Sequence, residues 1–109
     1  MAFRKYNYVL TEMAEGDIDE ILSYIKNELL NPVAASNFAN ELEIKTEEIC
    51  KNPGKGRIVE NEFLKRDDVR RFIVKNYIAY FIVDEENKEV VILRVVYNKR
   101  DQNDILKEL

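Results

Sequence analysis

The stretch "YIAYFIVDEENKEVVILRVVY", residues 77–97, consists of two runs of apolar, aromatic and β-branched residues on either side of the turn-forming "DEENK", residues 84–88. A crossover between parallel neighbours takes about a dozen residues or more, so these two runs must pair as an antiparallel hairpin. Immediately before them, "VRRFIVK", residues 69–75, sets Val69, Arg71 and Ile73 against Arg70, Phe72 and Val74 with the two-residue period of a strand. The three runs together predict a meander. Further upstream, "CKNPGKG", residues 50–56, holds two of the three glycines and one of the two prolines, and opens an irregular stretch to about Asp68.

The first half reads as helix. Thr11 is an N-cap with Glu12 and Glu15 in the first turn, and Ile18, Ile21, Leu22, Ile25 and Leu29 follow at helical spacing to about Leu30. Asn31 and Pro32 restart the pattern as cap and first helical residue, and Ala35, Phe38, Leu42 and Ile49 mark its inner stripe. Two helices over residues 12–51 therefore form a hairpin. Ahead of them "RKYNYVL", residues 4–10, places Tyr6, Tyr8 and Leu10 on one face of a short strand. The expected fold is α+β in a single domain, 1–109: an N-terminal strand, an antiparallel two-helix hairpin, then an antiparallel three-strand meander. Both helices pack on one face of an antiparallel sheet of about four strands.

At 109 residues, with 46% apolar and 35% charged side chains, the chain is large enough to bury a core without staples. No apolar run reaches the roughly 18 residues that would cross a bilayer, so no membrane partner is expected. The N-terminus lacks the pattern of a secretory signal and the one cysteine has no intrachain partner, so a cytoplasmic location is expected. The net charge of -4 conceals an asymmetry: residues 1–52 carry 5 basic and 10 acidic side chains, residues 53–109 carry 12 and 11. Lys65, Arg66, Arg70, Arg71 and Lys75 face only Asp67 and Asp68, which gives the second half a local positive field unless those charges are simply scattered and solvated.

The absence of histidine removes the usual acid–base group, the Ser–His and Cys–His nucleophiles and the commonest metal ligand. Cys50, inside a helical pattern, reads as a packed hydrophobe rather than a reactive thiol. No phosphate-binding glycine loop or metal-ligand spacing is present, and no cofactor or metal is expected. Arg94 interrupts an apolar strand and must reach solvent or a carboxylate. With Val91, Leu93, Val95 and Tyr97 toward the helices, Val90, Ile92, Arg94 and Val96 would face outward as a partner-binding surface. Lys99 and Arg100 follow the last strand, where a rigid sheet presents flexible cations to phosphate or carboxylate; solvated strand-end charge is the plainer reading. Tyr6, Tyr8, Tyr77, Tyr80 and Tyr97 recur on strands, as core or sheet-surface residues or as stacking platforms.

"LTEMAEGDIDEILSYI", "NPVAASNFANELE", "RRFIVKNYIAYFIVDEENKEVVILRVVYNKRD" and the final "IL" resemble, in order and over nearly the whole chain, the RelE/ParE superfamily of bacterial type II toxins. The resemblance implies a small cytoplasmic, growth-inhibiting toxin, a role in plasmid stabilisation, and a co-produced antitoxin that neutralises it by direct binding, with a 2:2 complex as the expected assembly. It also implies that the strand-end basic motif, Lys99 and Arg100, lies at the working surface. Arg94, Lys99, Arg100 and Arg71 are then the expected target contacts, and Val90, Ile92 and Val96 the expected antitoxin contacts.

RelE-like members cleave messenger RNA on the ribosome with an arginine after the tyrosine that opens the middle strand, a strand-end arginine, and a C-terminal tyrosine or histidine. Here Ile78 follows Tyr77, Arg100 is retained, and Leu106 stands at the C-terminal position. Only Arg71 and Arg100 remain as cations for a ribonuclease, with nothing to take a proton. ParE-like members lack that set and act by binding DNA gyrase; "AEGDIDEI", "NPVAASNF" and "NYIAYFIVDEE" are similar to that branch. Gyrase inhibition without catalysis is the expectation, with ribosome-dependent mRNA cleavage or a nontoxic partner-binding remnant as alternatives.

Overall fold

A computed structural model describes residues 5–109. Strand β1 (Asn7–Leu10) leads into helix α1 (Glu12–Ser23), a π-helical turn (Tyr24–Glu28) and helix α2 (Pro32–Lys51). A short 3-10 turn (Pro53–Lys55) and a two-residue strand β2 (Arg57–Ile58) precede the meander of β3 (Arg70–Val74), β4 (Tyr77–Asp84) and β5 (Glu89–Tyr97), and helix α3 (Gln102–Lys107) closes the chain. The α+β reading holds, and the last two strands are antiparallel. Arg4 of the first-strand run lies outside the described residues.

Both helix starts form as their residues predict. The Ala14 N–H donates to Thr11 Oγ1 at 3.1 Å, and the Ala34 N–H to Asn31 Oδ1 at 3.0 Å. The first helix, expected to run regularly to Leu30, instead widens after Ser23, where the Leu29 N–H reaches back five residues to the Tyr24 carbonyl. Leu30 then turns the chain at φ 50°, an uncommon conformation for a residue with a γ-branched side chain.

The sheet has five strands in the order β1-β5-β4-β3-β2, not four, and it is mixed, because β1 lies parallel to β5 along one edge. The helical hairpin and three strands separate those two in sequence, so the short-loop argument that fixes the meander does not bind them. Ala14, Ile21, Phe38, Ile49 and Cys50 pack from α1 and α2 onto Phe72, Phe81, Val90, Ile92 and Val95. The opposite face is covered too: Leu64, Val69, Ile105 and Leu106, from the 59–69 segment and α3, close over Ile78, Tyr80 and Val96.

That second core corrects the outward assignment of Val90, Ile92 and Val96, which are 0%, 1% and 2% exposed. Tyr80 pairs with Arg94 but Phe81 pairs with Ile92, so Leu93 is the extra residue of a β-bulge. The bulge shifts the strand's alternation by one residue: Val90 and Ile92 join Val95 under the helices, and Leu93 and Val96 join the second core. No helix among the described residues is long and apolar enough to cross a membrane.

Candidate functional site

Past Leu10, β1 no longer covers the edge of β5, and α1 takes over. The Thr11 N–H donates to the Ile92 carbonyl at 3.1 Å, the Thr11 hydroxyl donates to the bulged Leu93 carbonyl at 2.8 Å, and Asp17 Oδ2 accepts the Val95 N–H at 2.9 Å. Asp17 also receives Arg94 in a two-pronged pair, Nε to Oδ2 at 2.7 Å and Nη2 to Oδ1 at 3.0 Å, while Arg94 Nη1 reaches Glu108 Oε2 at 3.2 Å. The Asp17 hydrogen bond outweighs desolvation and holds the Arg94 guanidinium above its usual range. Arg94, expected to face a target, is 7% exposed and belongs to the scaffold that ties α1 and α3 to β5. The sequence carries a sign of its partner, for Asp17 falls three residues after Ala14 and four before Ile21, on the buried stripe of α1.

Beyond this clamp β5 ends in a pinned turn. The Asn98 N–H donates to the Asn76 carbonyl at 2.8 Å, the Arg100 N–H to the Tyr97 carbonyl at 3.1 Å, and Gln102 Nε2 to the carbonyls of Tyr97 and Arg100, both at 3.0 Å. The backbone is thus fixed while Lys99 and Arg100 extend into solvent with no carboxylate partner among the described residues. Beside Arg100 a groove of about 550 Å³ runs between α1 and the ends of β4 and β5. Tyr24, Tyr77 and Tyr97 line it with Glu20 and Leu29. Tyr77 packs edge-on against Phe38 at 5.0 Å and Tyr97 at 5.7 Å between ring centres, and its burial together with the neighbouring Tyr24 and Tyr97 raises its phenol above the ordinary value. Sequence reading missed Tyr24, half exposed at the head of the π turn; such turns often accompany functional sites, but no sequence signal marks this one.

The sequence-expected cations do not form one patch. Arg71, half-buried on β3, stands opposite Arg57 and Tyr80 and lines a different groove, beneath α2. Of the local positive field, Arg66 is paired with Asp68 and Arg70 Nη1 donates to the Gly56 carbonyl at 2.7 Å. Ile78 and Leu106 sit in the second core at 5% and 3% exposure, next to Tyr80, whose hydroxyl donates to Gln102 Oε1 at 2.6 Å. The surface around Arg100 therefore offers a cation, tyrosine rings and hydroxyls, with the Glu20 carboxylate across the groove.

Residues 8–102 match the sequence profile of a family described as "ParE toxin of type II toxin-antitoxin system, parDE". The chain belongs to the ParE toxin family. This ParE-family chain is similar in fold to a protein of the chromosomal ParDE system from P. aeruginosa, with 21% identity, 87% of this chain and 98% of that chain covered, and a TM-score of 0.67. The toxin–antitoxin complex RelBE2 from Mycobacterium tuberculosis gives 21% identity, 85% and 98% coverage and 0.60. The archaeal RelE–RelB complex from Pyrococcus horikoshii gives 14% identity, 89% and 99% coverage and 0.51. No curated protein matches. The ParE assignment makes the chain a toxin of a type II toxin–antitoxin system, and the sheet and helical hairpin read from its residues are those shared with these structures.

Proposed function

We propose that this ParE-family toxin arrests growth by binding DNA gyrase, has no catalysis of its own, and is neutralised by a cognate antitoxin that binds it directly. The observation that carries the choice of target is the burial of Ile78 and Leu106. These are the positions at which the resemblance to RelE-like enzymes would put an arginine and a tyrosine or histidine, and both are apolar parts of a closed core. Attack by a ribose 2′-hydroxyl on phosphorus needs a proton acceptor and several cations around the reacting phosphate. Arg100 alone supplies one cation, and Arg71 lies on another groove. An acidic chain of net charge -4 also favours a protein target over a polyanionic RNA. Complexes with antitoxins among the similar structures support the antitoxin partner.

The test is to induce the wild type and the Lys99→Ala/Arg100→Ala double mutant in cells without antitoxin, scoring growth, DNA breaks, plasmid supercoiling and transcript ends. Growth arrest with DNA breaks, relieved in a folded double mutant, is the expected result. Arrest with intact DNA and fresh cleavage at ribosomal A-site codons would replace gyrase with messenger RNA and make Arg71 and Arg100 catalytic cations. A mutant as toxic as the wild type would return Lys99 and Arg100 to ordinary solvated charge.

A further inference from the structure

The groove beside Arg100 is lined by polar groups that the fold leaves without partners. Tyr24, Tyr77 and Tyr97 present three rings to it. Beyond the effect of burial, Tyr24 and Tyr97 both raise the phenol of Tyr77, so the three hydroxyls are neighbours. None of them makes a hydrogen bond among the described residues, unlike the hydroxyls of Tyr6 and Tyr80. Asp17 is neutralised by Arg94, whereas Glu20, exposed one turn further along α1, forms no ion pair among the described residues. Electron-rich ring faces beside an unpaired carboxylate are the surroundings that receive an organic cation.

The irregular winding of the chain builds one wall of this groove. Five residues of α-helix turn by about 500°, which would set Tyr24 and Leu29 about 140° apart around the axis. The π turn, with the Leu29 N–H donating to the Tyr24 carbonyl at 3.1 Å, brings the two toward one side instead, and both line the groove. They are 51% and 56% exposed, so the turn holds a ring and an apolar side chain out at the groove rather than packing them into the core. Arg100 does not bar a cation from it. It stands at the margin and also lines the adjoining depression with Asp104 and Glu108, whose carboxylates offset its charge.

We infer that this groove receives an arginine side chain of the toxin's protein target, its guanidinium stacked on the rings of Tyr24 and Tyr97 and paired with the carboxylate of Glu20. Arginine suits the groove better than lysine, because its head is planar, weakly hydrated and forked to match a carboxylate. The net charge of -4 draws a basic side chain toward the chain as a whole. That the arginine belongs to the target rests on the toxin reading above, through the continuity of the groove with Lys99 and Arg100; the recognition of a cation rests on the rings and the carboxylate.

The probe is N-acetyl-arginine methylamide, titrated into the purified full chain at low ionic strength while the tyrosine ring signals are followed by NMR. Its citrulline counterpart keeps the shape without the charge, and its glutamate counterpart tests for an anion at Arg100. The signals of Tyr24, Tyr77 and Tyr97 should shift together and saturate with the arginine probe, and the citrulline probe should bind about fivefold or more weakly. Tyr24→Phe, which keeps the ring, should bind like the wild type, whereas Tyr24→Leu and Glu20→Gln should each weaken binding about fivefold or more with an unchanged circular dichroism spectrum. Both positions are exposed, and Tyr77, packed on Phe38, is left intact. No response to the arginine probe, or an equal response to citrulline, would overturn the inference, as would a stronger response to glutamate, which would make the groove an anion site. In cells without antitoxin, Tyr24→Leu/Glu20→Gln made at the wild-type level should no longer arrest growth. Undiminished arrest by that variant would overturn the assignment to the target. Arginine binding by a wild type that never arrests growth would sink the toxin reading alone.

Discussion

At the level of single residues the Arg94 pair is the strongest electrostatic commitment in the molecule, because both partners are nearly enclosed: their side chains are 8% and 11% exposed. Removing one partner strands the other, and Arg94→Ala or Asp17→Ala should each cost about 3–5 kcal/mol in urea unfolding. Asp17 would also leave the Val95 N–H unpaired. Glu108→Ala should stay within about 0.5 kcal/mol, since its carboxylate is largely solvated. That Arg94 must reach solvent or a carboxylate was legible, since a lone guanidinium in an apolar strand is too costly to leave unpaired, and the structure gives it Asp17. The burial of Arg94 was not, because the 59–69 segment and α3, which enclose that face, show no strand or helix period along either of them. Gly56 supplies a second test: a Cβ there would stand 2.3 Å from Phe81 Cζ, in a ring that is fully buried. Gly56→Ala should therefore destabilise by about 1–3 kcal/mol through overpacking. Tyr80 gives the pH dependence. Burial raises its phenol above the ordinary 10.0, so the folded state holds the proton more tightly than the unfolded chain. That contribution is whole below pH 10 and disappears as pH climbs through the folded value. Alkaline unfolding followed by tyrosinate absorbance should accordingly lose part of its steepness in Tyr80→Phe, although the variant also lacks the Gln102 hydrogen bond at every pH.

At the level of elements, caps and periodicity carried most of the information. Thr11 and Asn31 fix both helix starts, and Asn31→Ala should lower stability by about 1 kcal/mol, measured by chemical denaturation, without moving the β-strands. The hairpin of β4 and β5 followed from the length of "DEENK" alone. Three features escaped the sequence for different reasons. The π turn at 24–28 has the same apolar spacing as an α-helix and so leaves no trace in the pattern. The parallel seat of β1 depends on a contact across about eighty residues, which local patterning does not encode. Helix α3 is too short for a period to show, and its burial of Ile105 and Leu106 is what closes the second face.

At the scale of the whole molecule the sheet is enclosed on both faces, and the surfaces left for partners are grooves and edges. A partner must therefore reach the chain at its rim, where the tyrosine groove with Arg100 opens. Removing residues 102–109 should uncover Ile78, Tyr80 and Val96, and is expected to yield a protein that binds a hydrophobic dye and aggregates. The candidate site was half legible. The strand-end cations stand where the apolar run turns polar, as read, but the tyrosine groove beside them is assembled from α1, β4 and β5 and has no signature along any one of them.

The bulge at Leu93 has a genetic consequence. Most positions in this chain tolerate or resist replacement one side chain at a time, but position 93 absorbs the change of phase between the two halves of a strand. Loss of that single codon would return β5 to unbroken alternation without moving any side chain across the sheet, since Val90, Ile92 and Val95 would stay on one face and Val91, Arg94 and Val96 on the other. Deletion of Leu93 should therefore leave a protein that folds, short of one side chain in the second core and of the carbonyl that accepts the Thr11 hydroxyl, and across descendants of this sequence one-residue changes in the length of β5 should gather at that position rather than in the regular runs on either side.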